Sequence, residues 1–153
     1  MRYIFVGESP AKADVQAFWP FVPGAGARLC GLLGLNPHEF WGRVRRGLYV
    51  ATNIFSWPDP DWSDRDLAVS RSLMVAQEHL QVGVGNRAWT LIMCGRRVAG
   101  AFQDDRPYFE VRETGQGNRA VVVPHPSGRC RVWNDKVSVR KFRRVMTELG
   151  VIP

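Results

Sequence analysis

The sequence predicts an α/β fold: a three-layer α/β/α arrangement around a central four-stranded parallel sheet, in one domain that spans residues 1–153. Short, continuous apolar runs recur along the chain, as expected for strands that are covered on both faces. Helix-like segments separate these runs, and strands that alternate with helices favour parallel pairing. The length of 153 residues suits a single compact domain.

Four apolar runs predict the four strands. The first is RYIFVG near the N-terminus, and the others are GLYVATNIF at 47–55, WTLIMCG at 89–95 and AVVVPH at 120–125. The segment YFEVRET at 108–114 is a further candidate, either as an extra strand or as a hairpin arm. The four main runs have the length of strands and lack the alternation of a half-exposed sheet.

Helical spacing and capping residues predict the helices between these strands. Residues 27–35 and 96–102 are short helical segments. Residues 63–81 start with a cap at Ser63 or Asp64, and residues 134–150 start at Asn134 or Asp135 and stop at Gly150. In the segment 63–81, helical spacing places four apolar residues near one side: Leu67, Leu73, Met74 and Leu80.

The charge balance favours a polyanionic partner. The net charge is +7, and most of the positive charge is arginine, whose planar fork suits phosphate and base edges. A basic domain with no such partner is the simpler alternative. No apolar run approaches the ~20 residues of a membrane span, and the N-terminus does not resemble a signal peptide. We therefore expect no membrane partner and a cytoplasmic location.

The cysteines give no sign of a metal site or of a disulfide framework. Cys30, Cys94 and Cys130 are odd in number and far apart, and none belongs to a CxxC pair. Buried thiols are the expected state for this residue type. We expect no metal and no cofactor.

Polar residues follow the predicted strands where a ligand would bind. In parallel α/β sheets, ligands sit beyond the carboxyl ends of the strands. The segments at these ends are GESPAKAD, TNIFSWPDPDW, CGRR and PHPSGRCRVWND. Three of the four contain polar residues in unusual turns, so we expect the candidate site at this edge of the sheet.

Three of these segments hold residues that suit particular chemistry. At the first, Gly7 permits unusual backbone angles, and Glu8, Ser9 and Asp14 either approach a ligand or belong to a helix-capping loop. Asn53 carries an acceptor and two donors that suit a pyrimidine edge, although a turn-forming asparagine is the alternative.

His125 lies between two prolines, directly after a strand. A lone histidine is more often structural, but a neutral imidazole in this place can donate to an oxygen that gains charge. Arg129 and Arg131 follow and are placed to meet phosphates at the mouth of the site.

An aromatic loop precedes the first helix. Phe18, Trp19 and Phe21 lie among two prolines and two glycines, and such residues either plug a core edge or stack on a planar ring. Gly24 and Gly26 would let backbone amides approach a ligand or phosphate at the start of the helix.

Four motifs, in order along essentially the whole chain, resemble those of the uracil-DNA glycosylase superfamily. They are GESPA, PFVPGAGARL, ATNIF and HPSG, and they are most similar to those of the thermostable bacterial branch of that family. Each motif alone is weak, but four in the right order are fairly specific. The resemblance implies the fold of that family, and a DNA glycosylase that flips uracil or another modified pyrimidine out of DNA and excises it.

The resemblance also implies a role for each matching residue. Glu8 and Asp14 would be catalytic acids near the sugar, where water is oriented, and His125 would donate to the base oxygen as the base leaves as an anion. Gly7, Ser9 and Asn53 would bind the base, and Phe21 would stack on it. The loop that pushes into the duplex and contacts DNA would contain Ser127, Gly128, Arg129 and Arg131.

Three departures from the family pattern bear on the expected chemistry. The thermostable branch holds an iron–sulfur cluster on four cysteines, and this chain has three at positions that do not match, so we expect no cluster. Ser9 stands where the strongly active branch has aspartate. The loop at 125–135 lacks the usual second proline and apolar wedge, and offers instead Arg129, Arg131, Val132 and Trp133.

These departures keep two alternatives open. One is an enzyme with the glycosylase fold that modifies a 5-substituted pyrimidine in phage-type DNA by group transfer, and the other is a non-catalytic DNA-binding module. In each case the expected partner is double- or single-stranded DNA with a flipped base. The expected setting is a monomer in the cytoplasm, encoded by a bacterium or a phage.

Overall fold

A mixed sheet of five strands forms the centre of the molecule, with the strand order β2-β1-β3-β5-β4. The structure is a computed structural model that describes residues 1–12, 14–80 and 87–153. The elements in chain order are β1 (Arg2–Gly7), α1 (Ala25–Leu33), α2 (Pro37–Arg45), β2 (Tyr49–Asn53), α3 (Arg65–His79), β3 (Trp89–Cys94), α4 (Arg96–Ala101), β4 (Val111–Gly115), β5 (Asn118–Val123), a 3₁₀ turn (Arg131–Asn134) and α5 (Lys136–Glu148).

The prediction of a parallel sheet is confirmed for four strands, but the strand number was wrong. Strands β2, β1, β3 and β5 are mutually parallel, and β4 adds a fifth strand antiparallel to β5 at the edge. This strand overlaps the segment 108–114, so the expectation of a hairpin arm there is confirmed. All five residues of β4 are exposed, and the strand lacks the apolar run that marks the others. Its pairing depends on the tight turn through Gln116, where three consecutive residues have positive φ.

Helices cover both faces of the sheet, which agrees with a three-layer α/β/α arrangement. Side chains of α1, α2 and α5 pack in one apolar cluster with Phe5, Ile92 and Val121 of the sheet. Side chains of α3 and α4 pack in a second cluster on the opposite face, with Ile4 and Met93. Burying each of these large side chains contributes roughly 1.5–3 kcal/mol, so the two clusters hold the strands in register.

The helix caps agree with the prediction in two cases. Asp64 caps α3 by accepting the backbone N–H of Leu67 at 3.0 Å, and Asp135 caps α5. The residue at the end of the longer segment, Gln81, lies outside the described residues. The helix α2 was not predicted, although a capping box of Asn36 and Glu39 starts it.

The apolar side predicted for α3 was wrong for three of its four residues, whereas Leu80 packs against the second cluster. Leu67, Leu73 and Met74 are exposed, and the buried side of the helix consists of small residues, Ala68, Ser72 and Val75. Small side chains let α3 approach α4 closely, and the hydroxyl of Ser72 donates to the carbonyl of Ala101 at 2.7 Å. The larger apolar residues are therefore turned outward.

Within the described residues, no helix combines the length and the apolar character needed to cross a bilayer.

Candidate functional site

The carboxyl ends of β1 and β2 bring Gly7 and Asn53 together. The two residues are direct partners in the parallel register, and the next two backbone amides, of Ile54 and Phe55, donate to the carbonyls of Gly7 and Glu8. A Cβ on Gly7 would lie 2.5 Å from Asn53 Oδ1 and 2.9 Å from Phe18 Cζ. The φ of Gly7 is not positive, so glycine is needed here for close approach and not, as predicted, for unusual backbone angles.

Phe18 provides the aromatic ring at this point. It is 6% exposed, and its φ of 53° is unusual for a bulky residue. A Cβ on Gly26 would lie 2.4 Å from the carbonyl carbon and oxygen of Phe18. Gly26 therefore lets α1 pack directly against the strained backbone of Phe18. This backbone conformation places the ring of Phe18 beside Gly7 and Asn53.

Phe21 lies elsewhere. It is 38% exposed and its ring packs at 5.0 Å from both Trp19 and His38. Trp19 in turn packs against Trp41 of α2 at 4.9 Å. The backbone of Phe18 and Trp19 occupies the space beside Gly26, so the lack of a side chain at Gly26 leaves room for the aromatic loop.

Glu8 and His125 meet at Gly95, which follows β3. A Cβ on Gly95 would lie 3.4 Å from Glu8 Oε1, 3.2 Å from His125 Cβ and 3.6 Å from His125 Cδ2. The φ of Gly95 is 110°, a conformation that other residues rarely adopt. Its amide donates to the carbonyl of Val123 at 2.8 Å, which ties the ends of β3 and β5 together. A carboxylate from one strand and an imidazole from another thus converge on one glycine.

The third strand end adds Arg97, a residue that the prediction did not single out. Its Nη1 lies 3.6 Å from Glu8 Oε2, and its guanidinium lies 5.7 Å from the ring centroid of Trp62. The side chain of Arg97 is 60% exposed and that of Glu8 is 24% exposed, so water reaches this ion pair and weakens it. The CGRR segment follows the third predicted strand, but nothing in its sequence indicates which of the two arginines faces the acid.

Trp133 holds the backbone of His125 in place from the side of the core. The indole Nε1 donates to the carbonyl of His125 at 2.8 Å, and Trp133 is buried against Phe142 of α5. Trp133 is one of the residues that the loop 125–135 offers in place of an apolar wedge, but the 3₁₀ turn directs its ring into the core, so the ring is not presented at the surface.

Burial holds the pKa of His125 below its ordinary value, and two charges act on it as well. The carboxylate of Glu8 raises this pKa and the guanidinium of Arg97 lowers it, with burial as the largest influence. Lowering the pKa favours the neutral imidazole, which keeps one N–H donor.

Ser9 and Asp14 occupy different positions near this edge. Ser9 and Glu8 line a cleft of about 470 Å³, together with Asp61, Trp62 and Arg97 among others. Asp14 is exposed, and within the described residues no hydrogen bond or ion pair joins it to Glu8 or His125. The structure thus places Asn53 beside Gly7, and Glu8 beside His125 at Gly95. Asn53 and Glu8 line different clefts. Among the described residues, Asp14 makes no hydrogen bond or ion pair with any of these side chains.

A second cleft of about 550 Å³ contains Asn53. It runs beside β2 between α2 and α3, and Trp41, Arg71 and Met74 contribute to its walls. Arg71 is fixed by a hydrogen bond from its Nε to the carbonyl of Ile54 at 3.0 Å.

The loop after His125 is polar at its surface. Ser127 is half-buried, and Gly128, Arg129 and Arg131 are exposed. The amide of Cys130 donates to the carbonyl of Ser127 at 3.2 Å, which closes a turn. The two arginines are therefore free to reach an anionic partner beside His125.

Two of the three thiols are buried. Cys30 and Cys94 are buried, as predicted, whereas Cys130 is half-buried. Burial raises the pKa of Cys30 to about 11, so this thiol is neutral at physiological pH.

A scan of the chain against models of known protein families finds no match, and a search of curated proteins finds no significant match.

Proposed function

We propose that this protein is a DNA glycosylase that flips uracil or another modified pyrimidine out of DNA and hydrolyses its N-glycosidic bond. The observation that carries the proposal is the convergence of Glu8 and His125 on Gly95. Glu8 Oε1 and His125 Cδ2 lie 3.4 and 3.6 Å from the position that a Cβ on Gly95 would take. Asn53 and Phe18 lie beside the neighbouring Gly7. A carboxylate, an imidazole, an amide and an aromatic ring are the groups that this reaction requires.

The two charges that develop in the reaction explain why an acid and a histidine are both needed. As the bond between C1′ and the base nitrogen breaks, the sugar becomes positive and the base leaves as an anion. Glu8 stabilises the positive sugar and accepts a proton from the water that adds to C1′. The N–H of neutral His125 donates to the base oxygen, where the negative charge collects.

Phe18 and Asn53 bind the base in this proposal. The amide of Asn53 reads the pyrimidine edge, since it can both donate and accept. The resemblance to the family assigned the stacking role to Phe21, but the contact of Phe18 with Gly7 favours Phe18. Phe18→Leu should reduce excision strongly and Phe21→Leu should leave excision from single strands nearly unchanged; the reverse order would return the stacking role to Phe21.

The polar loop after His125 and the net charge of +7 supply the DNA contacts. Arg129 and Arg131 contact phosphates, while Ser127 and Gly128 allow close approach of the backbone. Replacing either arginine with Gln should reduce the slope of log Kd against log salt by about 0.9 for duplex DNA or 0.7 for a single strand. In this proposal the enzyme acts as a monomer in the cytoplasm of a bacterium or of a phage-infected cell.

A panel of substrates tests the function directly. Duplexes and single strands that contain uracil, 5-hydroxymethyluracil or a mismatched thymine are incubated with the protein, and abasic sites are counted. His125→Ala should remain folded and lose about 10²–10³ in rate, as for loss of an oxyanion donor. His79→Ala, at the far end of α3, is the matched control. Absence of abasic product from every substrate would refute hydrolysis.

The acid that activates water is tested in the same assay. Glu8→Gln should abolish excision, whereas Asp14→Asn should have a small effect, because Asp14 is exposed and has no described contact with His125. A larger loss for Asp14→Asn would transfer the catalytic role to that residue.

Group transfer to a 5-substituted pyrimidine is the second candidate. The cleft of about 470 Å³ beside Glu8 and Ser9 favours it, because a single water occupies only about 30 Å³. Mass spectrometry of nucleosides from treated DNA distinguishes the two reactions, since transfer increases the mass of the base and leaves the glycosidic bond intact. Binding without either product would indicate a DNA-binding module.

A further inference from the structure

The element that opens the duplex can be inferred from which residues are exposed beside the site, and this inference rests on the proposed function. A flipped base leaves a gap in the stack, and unstacking costs a few kcal/mol. Proteins that distort duplexes in this way insert apolar side chains between base steps. An apolar residue must therefore project toward the DNA close to Phe18 and His125.

The loop after His125 does not offer such a residue. Its exposed residues are Gly128, Arg129, Arg131, Asn134 and Asp135, none of which has a large apolar side chain. Val132 is only half-exposed, and the large aromatic, Trp133, is buried. The hydrogen bond from Trp133 to the carbonyl of His125 keeps the indole in the core. This loop suits phosphate contacts and leaves the gap in the stack unfilled.

The loop that precedes α1 offers an exposed apolar tip. Phe21 and Val22 are 38% and 49% exposed, and they lie between Pro20, which is buried, and Pro23, which is exposed. The two prolines restrict the backbone, so little conformational entropy is lost when the tip is inserted. Packing of the Phe21 ring against Trp19 and His38, at 5.0 Å each, supports it from behind.

The tip is connected directly to the proposed base site. Phe21 follows Phe18 by three residues, and Phe18 contacts Gly7 and approaches Asn53. The same loop can therefore hold the flipped base with one ring and occupy the vacated space with the next apolar residues. The positive net charge and the exposed Arg129 and Arg131 of the loop after His125 favour DNA as the occupant.

We propose that Phe21 and Val22 form the wedge that fills the gap in the DNA stack when the target base is flipped. The wedge should increase unstacking and excision on a duplex, where the target base must be unstacked and unpaired. It should have little effect on a single strand. This dependence on strandedness separates a wedge from a base-stacking wall, which would matter equally for both substrates.

The test compares duplex and single-stranded DNA with the variant Phe21→Ser/Val22→Ser. A 2-aminopurine placed beside the target base reports unstacking by its fluorescence, without any need for excision. We expect the duplex signal, and the duplex excision rate where excision occurs, to fall about tenfold or more. Binding and excision on the single strand should change by less than about threefold.

Trp57→Ser is the matched control. Trp57 is 40% exposed, close to the 38% of Phe21, and it lies in another loop at the same edge of the sheet. It packs on Phe55 and lies under Arg71, and it is not connected to Phe18 through this loop. The control variant should retain the duplex signal.

Several results would overturn the wedge. They are equal losses on duplex and single strand, an unchanged duplex signal in the double variant, a selective duplex loss in Trp57→Ser, or no duplex signal from the unmodified protein. A normal duplex signal without excision of any base has a different meaning: it removes the proposed reaction and supports the wedge.

Discussion

Replacing Gly7 with alanine is the sharpest test of the geometry at the base site. The new Cβ would lie 2.5 Å from Asn53 Oδ1 and 2.9 Å from Phe18 Cζ, where ordinary contact begins at 3.4 Å. The asparagine oxygen must then retreat by about 0.9 Å, the difference between 3.4 and 2.5 Å. Misplacing a reacting group by ~1 Å can cost up to ~10²-fold in rate.

The expected result is therefore a folded protein that excises its base about 100-fold more slowly. Overpacking of this kind also lowers the free energy of unfolding by roughly 1–3 kcal/mol, which thermal melting measures. The matched control is Gly31→Ala in α1, where a Cβ meets nothing within 4 Å. If Gly7→Ala retained the full rate with the same substrate preference, Asn53 and Phe18 would not be the groups that bind the base.

Three further predictions concern the surroundings of the site. Trp133→Phe removes the indole donor to the carbonyl of His125 and keeps the packing, so we expect a loss of about 1–3 kcal/mol in unfolding free energy and slower excision; unchanged melting and rate would contradict this. Arg97→Gln removes a charge that lowers the pKa of His125, so this pKa should rise. Protonation stops the reaction because the protonated imidazole pairs with the neighbouring carboxylate, so the acid limb of the pH–rate profile should move to higher pH. An unmoved limb, or a move to lower pH, would refute the coupling between Arg97 and His125. In native protein, a thiol reagent should label Cys130 well before the two buried cysteines, and equal labelling in mass spectra would argue against the described burial.

The parallel core of the fold could be predicted because its strands carry a strong local signal. The runs that became β1, β3 and β5 are apolar and rich in β-branched residues, as buried strands require. The exposed edge strand β4 carries no such run, and its formation depends on a turn and on a partner strand. The position of helix α3 in the sequence was predicted correctly, but the side of the helix that is buried was not, because that side depends on how closely α4 approaches it.

Part of the site could be predicted for a comparable reason. Glu8 and His125 follow a strand and Asn53 ends one, and a parallel sheet brings such residues to one edge. The choice between Phe18 and Phe21 could not be made, because it depends on a positive φ and on a contact with Gly26, and neither leaves a local pattern. Arg97 was missed for the same reason, since only the folded chain shows which arginine of the pair faces Glu8.

The exposed strand β4 has a consequence for how the protein behaves at high concentration. An open strand edge can recruit the strand of another molecule and start aggregation. Here the edge carries Arg112 and Glu113, shows an irregular register at Glu113 and Gly115, and ends in a turn of positive-φ residues. An incoming chain would have to bury these charges and match an irregular edge, so we expect β4 to discourage growth of the sheet from one molecule to the next.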